Sequence, residues 1–88
     1  MRISEKKREK ICEQILDLLY SVSPRFLFTS HIAKEIARDE EFTKKLLLDL
    51  KQKNLILEIK KNSKGVFYLR RSRWKITDKV YNIYKSNQ

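Results

Sequence analysis

Residues 32–56 read IAKEIARDEEFTKKLLLDLKQKNLI, and this stretch decides the fold. Ile32, Ile36 and Ala37 fall on one face of a helix. After a break, Thr43, Leu46, Leu47 and Leu50 recur at three- and four-residue spacing and mark the apolar face of a second, longer helix. Asp39 stands where an N-cap belongs, because a short side chain with an acceptor oxygen satisfies the open N–H groups of a first turn. Glu40 and Glu41 follow where negative charge suits the helix dipole. Asn54 closes the second helix, since asparagine tolerates the left-handed conformation of a C-terminal cap. A short helix, a tight turn and a longer helix make a helix-turn-helix unit.

The composition bounds what this unit can belong to. The 88 residues suit one domain spanning 1–88, with a small core to which most amphipathic segments contribute. Twenty-one Lys and Arg against eleven Asp and Glu leave a net charge of +10, which points to a polyanionic partner. The competing explanation is solubility, or a Lys-rich composition of the thermophile kind. Cys12 is the only cysteine and His31 the only histidine, so neither a disulfide nor a zinc site of the usual ligand count can be assembled within the chain. Cys12 lies among apolar helical positions and reads as a packing residue. One Gly and one Pro leave no phosphate-cradling loop. No cofactor is expected, and no set of groups from which to build an enzyme is visible. No apolar run approaches a membrane span and no signal-peptide core follows the basic start, so a soluble cytoplasmic protein is expected, nucleoid-associated if it binds DNA.

On the N-terminal side, residues 1–10 (MRISEKKREK) read as a basic arm or the start of a first helix capped by Ser4. Ile11, Ile15, Leu18 and Val22 give that helix a core stripe, widened by Cys12, Leu16 and Leu19, and Pro24 ends it. Phe26-Leu27-Phe28 is a short β-prone run, after which Thr29 or Ser30 is placed to cap the next helix. On the C-terminal side, Leu55 to Lys61 reads as a strand and Asn62-Ser63-Lys64-Gly65 as a turn, with Val66 to Leu69 returning as the partner strand. Arg70, Arg71 and Arg73 follow, Trp74-Lys75-Ile76 finishes the sheet with Trp74 or Ile76 facing the core, and Thr77 caps a last helix whose Val80, Ile83 and Tyr84 share a face.

The 32–56 stretch resembles the winged-helix superfamily of small DNA-binding domains, in which an Ile-Ala pair, spaced leucines and a terminal aliphatic pair precede a basic β-hairpin. The run RWKITDKVYNIY is similar to the wing-to-helix junction of small archaeal, MarR- and PadR-type regulators, with Val80 where those have Gly. The resemblance implies an α+β fold with the order α1-β1-α2-α3-β2-β3-α4, a three-helix core and residues 55–76 as the wing. It also implies a third helix in or near the major groove and double-stranded DNA as partner.

The charge is unevenly spread. Residues 1–10 carry five basic and two acidic groups, residues 38–53 five and four, and residues 58–75 seven and one, while the remainder balances. The wing is therefore expected to grip phosphate through Lys60, Lys61, Lys64, Arg70, Arg71 and Arg73, with Tyr68 and Trp74 interleaved, and the N-terminal arm through Lys6, Lys7 and Arg8. On the third helix Glu41, Lys44, Lys45, Leu48 and Gln52 face outward. Glu40 and Glu41 are spaced to pair with Lys44 and Lys45 and so weaken them as phosphate ligands. Glu, Gln and Leu can still read cytosine N4, adenine or a thymine methyl.

Two alternatives use the same residues differently. As a protein-interaction subunit of a transcription or replication assembly, the chain would expose Phe42 and Leu48 as an apolar patch, with Tyr81 and Tyr84 in a homodimer interface. The charge equally suits RNA or a ribosome.

Overall fold

The computed structural model describes residues 4–60 and 72–86. Its elements are α1 (Glu5–Val22), β1 (Leu27–Phe28), α2 (Thr29–Glu35), α3 (Glu40–Gln52), β2 (Ile56–Ile59), β3 (Arg73–Ile76) and α4 (Asp78–Ser86), in the order expected. The turn at Asn62–Gly65 and the strand expected at Val66–Leu69 lie outside the described residues. Within them, the strand that returns against β2 is Arg73–Ile76.

Local chemistry sets most boundaries. The Ser4 hydroxyl accepts from the Lys7 N–H at 3.3 Å and starts α1. The helix thus begins at Glu5, and Lys6, Lys7 and Arg8 belong to its first turns rather than to a separate arm. Asp39 accepts from the Phe42 N–H at 3.0 Å and starts α3. The α3 C-terminus is a left-handed cap, with Asn54 at φ 63, its N–H donating to the Lys51 carbonyl at 2.9 Å and that of Leu55 to Leu50 at 3.0 Å. Thr77 caps α4, accepting from the Val80 N–H at 3.3 Å.

The same device closes α2, at a residue that does not advertise it. Ala37 sits at φ 56, donating to the Lys34 carbonyl at 3.2 Å, while the Arg38 N–H donates to Ala33 at 2.9 Å. The core face expected from Ile32, Ile36 and Ala37 is therefore cut short. Ile32 is buried, Ile36 is the half-buried C-cap, and Ala37 is exposed in the turn. Thr29 corrects a second expectation. It is the first residue of α2, with Phe28 at the N-cap and no side-chain cap bond, and its buried hydroxyl accepts from Trp74 Nε1 at 2.8 Å. An indole N–H inside the core requires such an acceptor, and that demand outranks a cap that water can replace.

The sheet is antiparallel in the order β1-β3-β2, with Leu27 opposite Trp74, Glu58 opposite Trp74 and Ile56 opposite Ile76. Trp74 and Ile76 both face inward, so Trp74 is a core side chain and not aromatic surface between the cations of the wing. Around it lie Ile11, Ile15 and Leu19 of α1, Ile32 of α2, Leu46, Leu47 and Leu50 of α3, Ile56 of β2 and Val80 of α4. The α1 stripe is centred on Ile11, Ile15 and Leu19, with Leu18 and Val22 at its half-buried edge. On α4 only Val80 is buried, and Ile83 turns outward. No helix among the described residues is long and apolar enough to cross a membrane.

Candidate functional site

The outward face of α3 is laid bare by what its inward face buries. With Thr43, Leu46, Leu47 and Leu50 turned to the core, Glu40, Glu41, Lys44, Lys45, Leu48 and Gln52 are all exposed. The pairs expected between Glu40 and Lys44 and between Glu41 and Lys45 do not form. The ion pairs among the described residues are Arg8–Asp49, His31–Glu35, Lys51–Glu58, Lys53–Asp49 and Lys60–Glu58. Neither Lys44 nor Lys45 is in one, so both exposed side chains stand outside ion-pair distance of a carboxylate among the described residues. Glu40 and Glu41 serve instead as first-turn carboxylates beside the Asp39 cap.

The cations nearer the C-terminus of α3 are occupied. Arg8 donates to Asp49 Oδ2 at 3.1 Å, and Lys53 Nζ lies 3.7 Å from the same oxygen. Lys51 donates to Glu58 Oε1 at 2.8 Å, Ser72 donates to Glu58 Oε2, and Lys60 Nζ lies 3.9 Å from that second oxygen. The Glu58 side chain is only 3% exposed. Burial disfavours its charge, yet the hydrogen bonds from Lys51 and Ser72, together with the positive charges of Lys51 and Lys60, outweigh that and hold its carboxyl below the ordinary range.

Of the wing residues, Lys60 and Arg73 are described, while Lys61, Lys64, Arg70 and Arg71 lie outside the described residues. Lys60 is exposed. Arg73 is half-buried, its guanidinium carbon 5.8 Å from the centre of the Phe26 ring, and Lys75 Nζ lies 5.4 Å from that centre. The two side chains are two residues apart on β3 and share the face away from Trp74, so a cationic stripe there rests on an aromatic ring. Sequence reasoning missed Phe26 and Lys75, though the β-strand alternation around Trp74 carries the signal. Lys6 and Lys7 are exposed on α1.

The expected apolar patch is divided. Phe42 packs half-buried against the core, whereas Leu48 is 42% exposed. Tyr81 and Tyr84 also pack on the core, both against Tyr20 of α1, with ring centres 5.4 and 5.3 Å apart. Burial, then the Asp17 carboxylate, pushes the Tyr84 hydroxyl above its usual pKa. Cys12 is half-buried as expected, and burial likewise raises its thiol.

This arrangement matches solved structures of low sequence identity. The Zalpha domain of Carassius auratus PKZ, solved in complex with Z-DNA, superposes with a TM-score of 0.63 at 21% identity, covering 81% of this chain and 98% of that one. A Staphylococcus aureus MepR–DNA complex gives 0.70 at 22% identity, covering 92% and 66%. Lactococcus lactis ZitR gives 0.70 at 21% identity, covering 93% and 57%. The chain thus spans well under the full length of ZitR and about two thirds of MepR. No family model and no curated protein sequence matches it. What the comparisons establish is the architecture: the chain has the winged-helix fold.

Proposed function

We propose that this protein binds double-stranded DNA as a small winged-helix regulator or chromatin-type protein. α3 lies in or near the major groove and the basic wing lies on the phosphate backbone. The observation that carries the reading is the exposed, unpaired Lys44–Lys45 edge of α3, set beside a wing segment in which seven basic groups face one acidic group. The Zalpha domain and MepR, solved in complex with Z-DNA and with DNA, support the same class of partner. Lys44, Lys45, Lys60, Lys61, Lys64, Arg70, Arg71 and Arg73 supply charge, and so do Lys6 and Lys7 of α1. Leu48 and Gln52 are the groups of α3 able to touch base edges, through a thymine methyl and an adenine edge. Arg8 and Lys51 are already committed to Asp49 and Glu58 and contribute less. Most of the affinity is then electrostatic and tolerant of sequence.

The test is a titration of mixed-sequence duplex DNA at several salt concentrations. Affinity falls steeply with salt, by roughly 0.9 logarithmic unit per decade of salt for each phosphate neutralised. Replacing Lys44 and Lys45 by Ala flattens the slope by about two contacts. Replacing Lys60, Lys61, Arg70, Arg71 and Arg73 together flattens it further. A slope unchanged in both variants removes the reading, and stronger binding to structured RNA than to duplex moves it to the RNA class.

A further inference from the structure

Glu58 is the most deeply placed carboxylate among the described residues of the site. It lies on the inward side of β2, opposite Trp74, where a strand of this kind normally places an apolar residue. Its two oxygens are divided between three elements. Oε1 takes Lys51 from the last turn of α3, and Oε2 takes Ser72, the residue before β3, with Lys60, the residue after β2, 3.9 Å away. One carboxylate therefore joins the end of α3 to both strands at the root of the wing.

Lys51 and Lys60 reach the enclosed carboxylate from the solvent side, each about half exposed, so these ion pairs add little net stability by themselves. What the enclosed carboxylate does impose is a fixed geometry, because a charge with its hydrogen bonds broken inside the protein costs far more than a displaced methyl group. We infer that Glu58 is a positioning residue for nucleic-acid binding: it locks the wing root against α3 so that both meet one duplex together. This rests on the proposed DNA-binding function. When two contact elements are held in register, the second contact forms within an already formed complex, and loosening the link lowers affinity without removing any group that touches the ligand.

The sign of the effect separates this role from simple charge. Glu58 is negative, so its removal makes the site more cationic and frees Lys51 and Lys60; by electrostatics alone, binding tightens. By positioning, it weakens. Three variants are compared on the same mixed-sequence duplex, at a temperature where circular dichroism shows each one folded. Asp49→Asn removes one negative charge from α3 without touching Glu58 and tightens binding by about two- to three-fold. Glu58→Leu fills the site and abolishes the link, and it weakens binding by about ten-fold. Glu58→Gln keeps shape and part of the hydrogen bonding and falls between them; it decides the matter should the leucine variant not fold. A Glu58 variant that binds as tightly as Asp49→Asn overturns the assignment. Amide exchange in the DNA-free protein gives a second readout. In the Glu58 variants, exchange at 56–59 and 73–76 quickens relative to α1; rates unchanged there overturn the link itself. Should the unaltered protein fail to bind duplex at any salt, the proposed function falls, and the exchange rates alone judge the link.

Discussion

Two side chains show how a residue's chemistry is reassigned by what folds onto it. Thr29 has the composition of a helix cap and is read as one along the chain. Its hydroxyl is claimed instead by Trp74, 45 residues away, and no local pattern reveals that pairing. Replacing Thr29 by Val keeps the volume but leaves a buried indole N–H without its acceptor. The change lowers stability by about 1–3 kcal/mol, read as a shift of the urea midpoint at constant slope. Glu58 is the same lesson with a charge. The alternation in Leu55-Ile56-Leu57-Glu58-Ile59 puts Glu58 on the side of Ile56, yet a glutamate on a strand is ordinarily assigned to water. Only the convergence of Lys51 and Ser72 makes its inward place tolerable.

At the scale of elements, sequence and structure agree at four helix boundaries that are written in side-chain chemistry, the start of α2 being the exception. Ser4, Asp39, Asn54 and Thr77 each mark a helix end and each makes the cap bonds or the left-handed turn that its type suggests. The end of α2 was illegible because Ala37 is an ordinary helix former held at φ 56, where its Cβ crowds the backbone. That conformation costs an L-residue roughly 1–2 kcal/mol, whereas glycine adopts it freely and loses about 0.5–1 kcal/mol more entropy on folding than alanine. Ala37→Gly therefore stabilises the protein by about 0.5 kcal/mol. At Asn54 the same replacement gains less, because asparagine already accepts the turn. Thermal melts of the two variants side by side check the order. The i,i+4 pairs expected on α3 were misjudged for a related reason. Spacing permits such a pair, but exposed partners gain little from it and remain in water.

Over the whole molecule, the excess of positive charge was visible in composition, and so was its concentration away from the middle of the chain. Which cations are consumed internally was not visible. Arg8 finds Asp49 across 41 residues, a contact set by how α1 lies over α3. A net charge of +10 in so small a body also repels itself. Raising salt from about 20 to 300 mM shortens the reach of that repulsion from roughly 20 Å to 6 Å. Stability of the free protein then rises by about 1 kcal/mol, or about 4–8 °C in Tm, while affinity for a polyanion drops. A melting temperature that falls with salt shows that the ion pairs at Asp49 and Glu58 outweigh the repulsion. The burial of Trp74 has a practical corollary. It is the chain's one indole, fully enclosed and tethered through its nitrogen. Its fluorescence is consequently an internal gauge of whether the body is intact, insulated from whatever settles on the lysine-bearing surface.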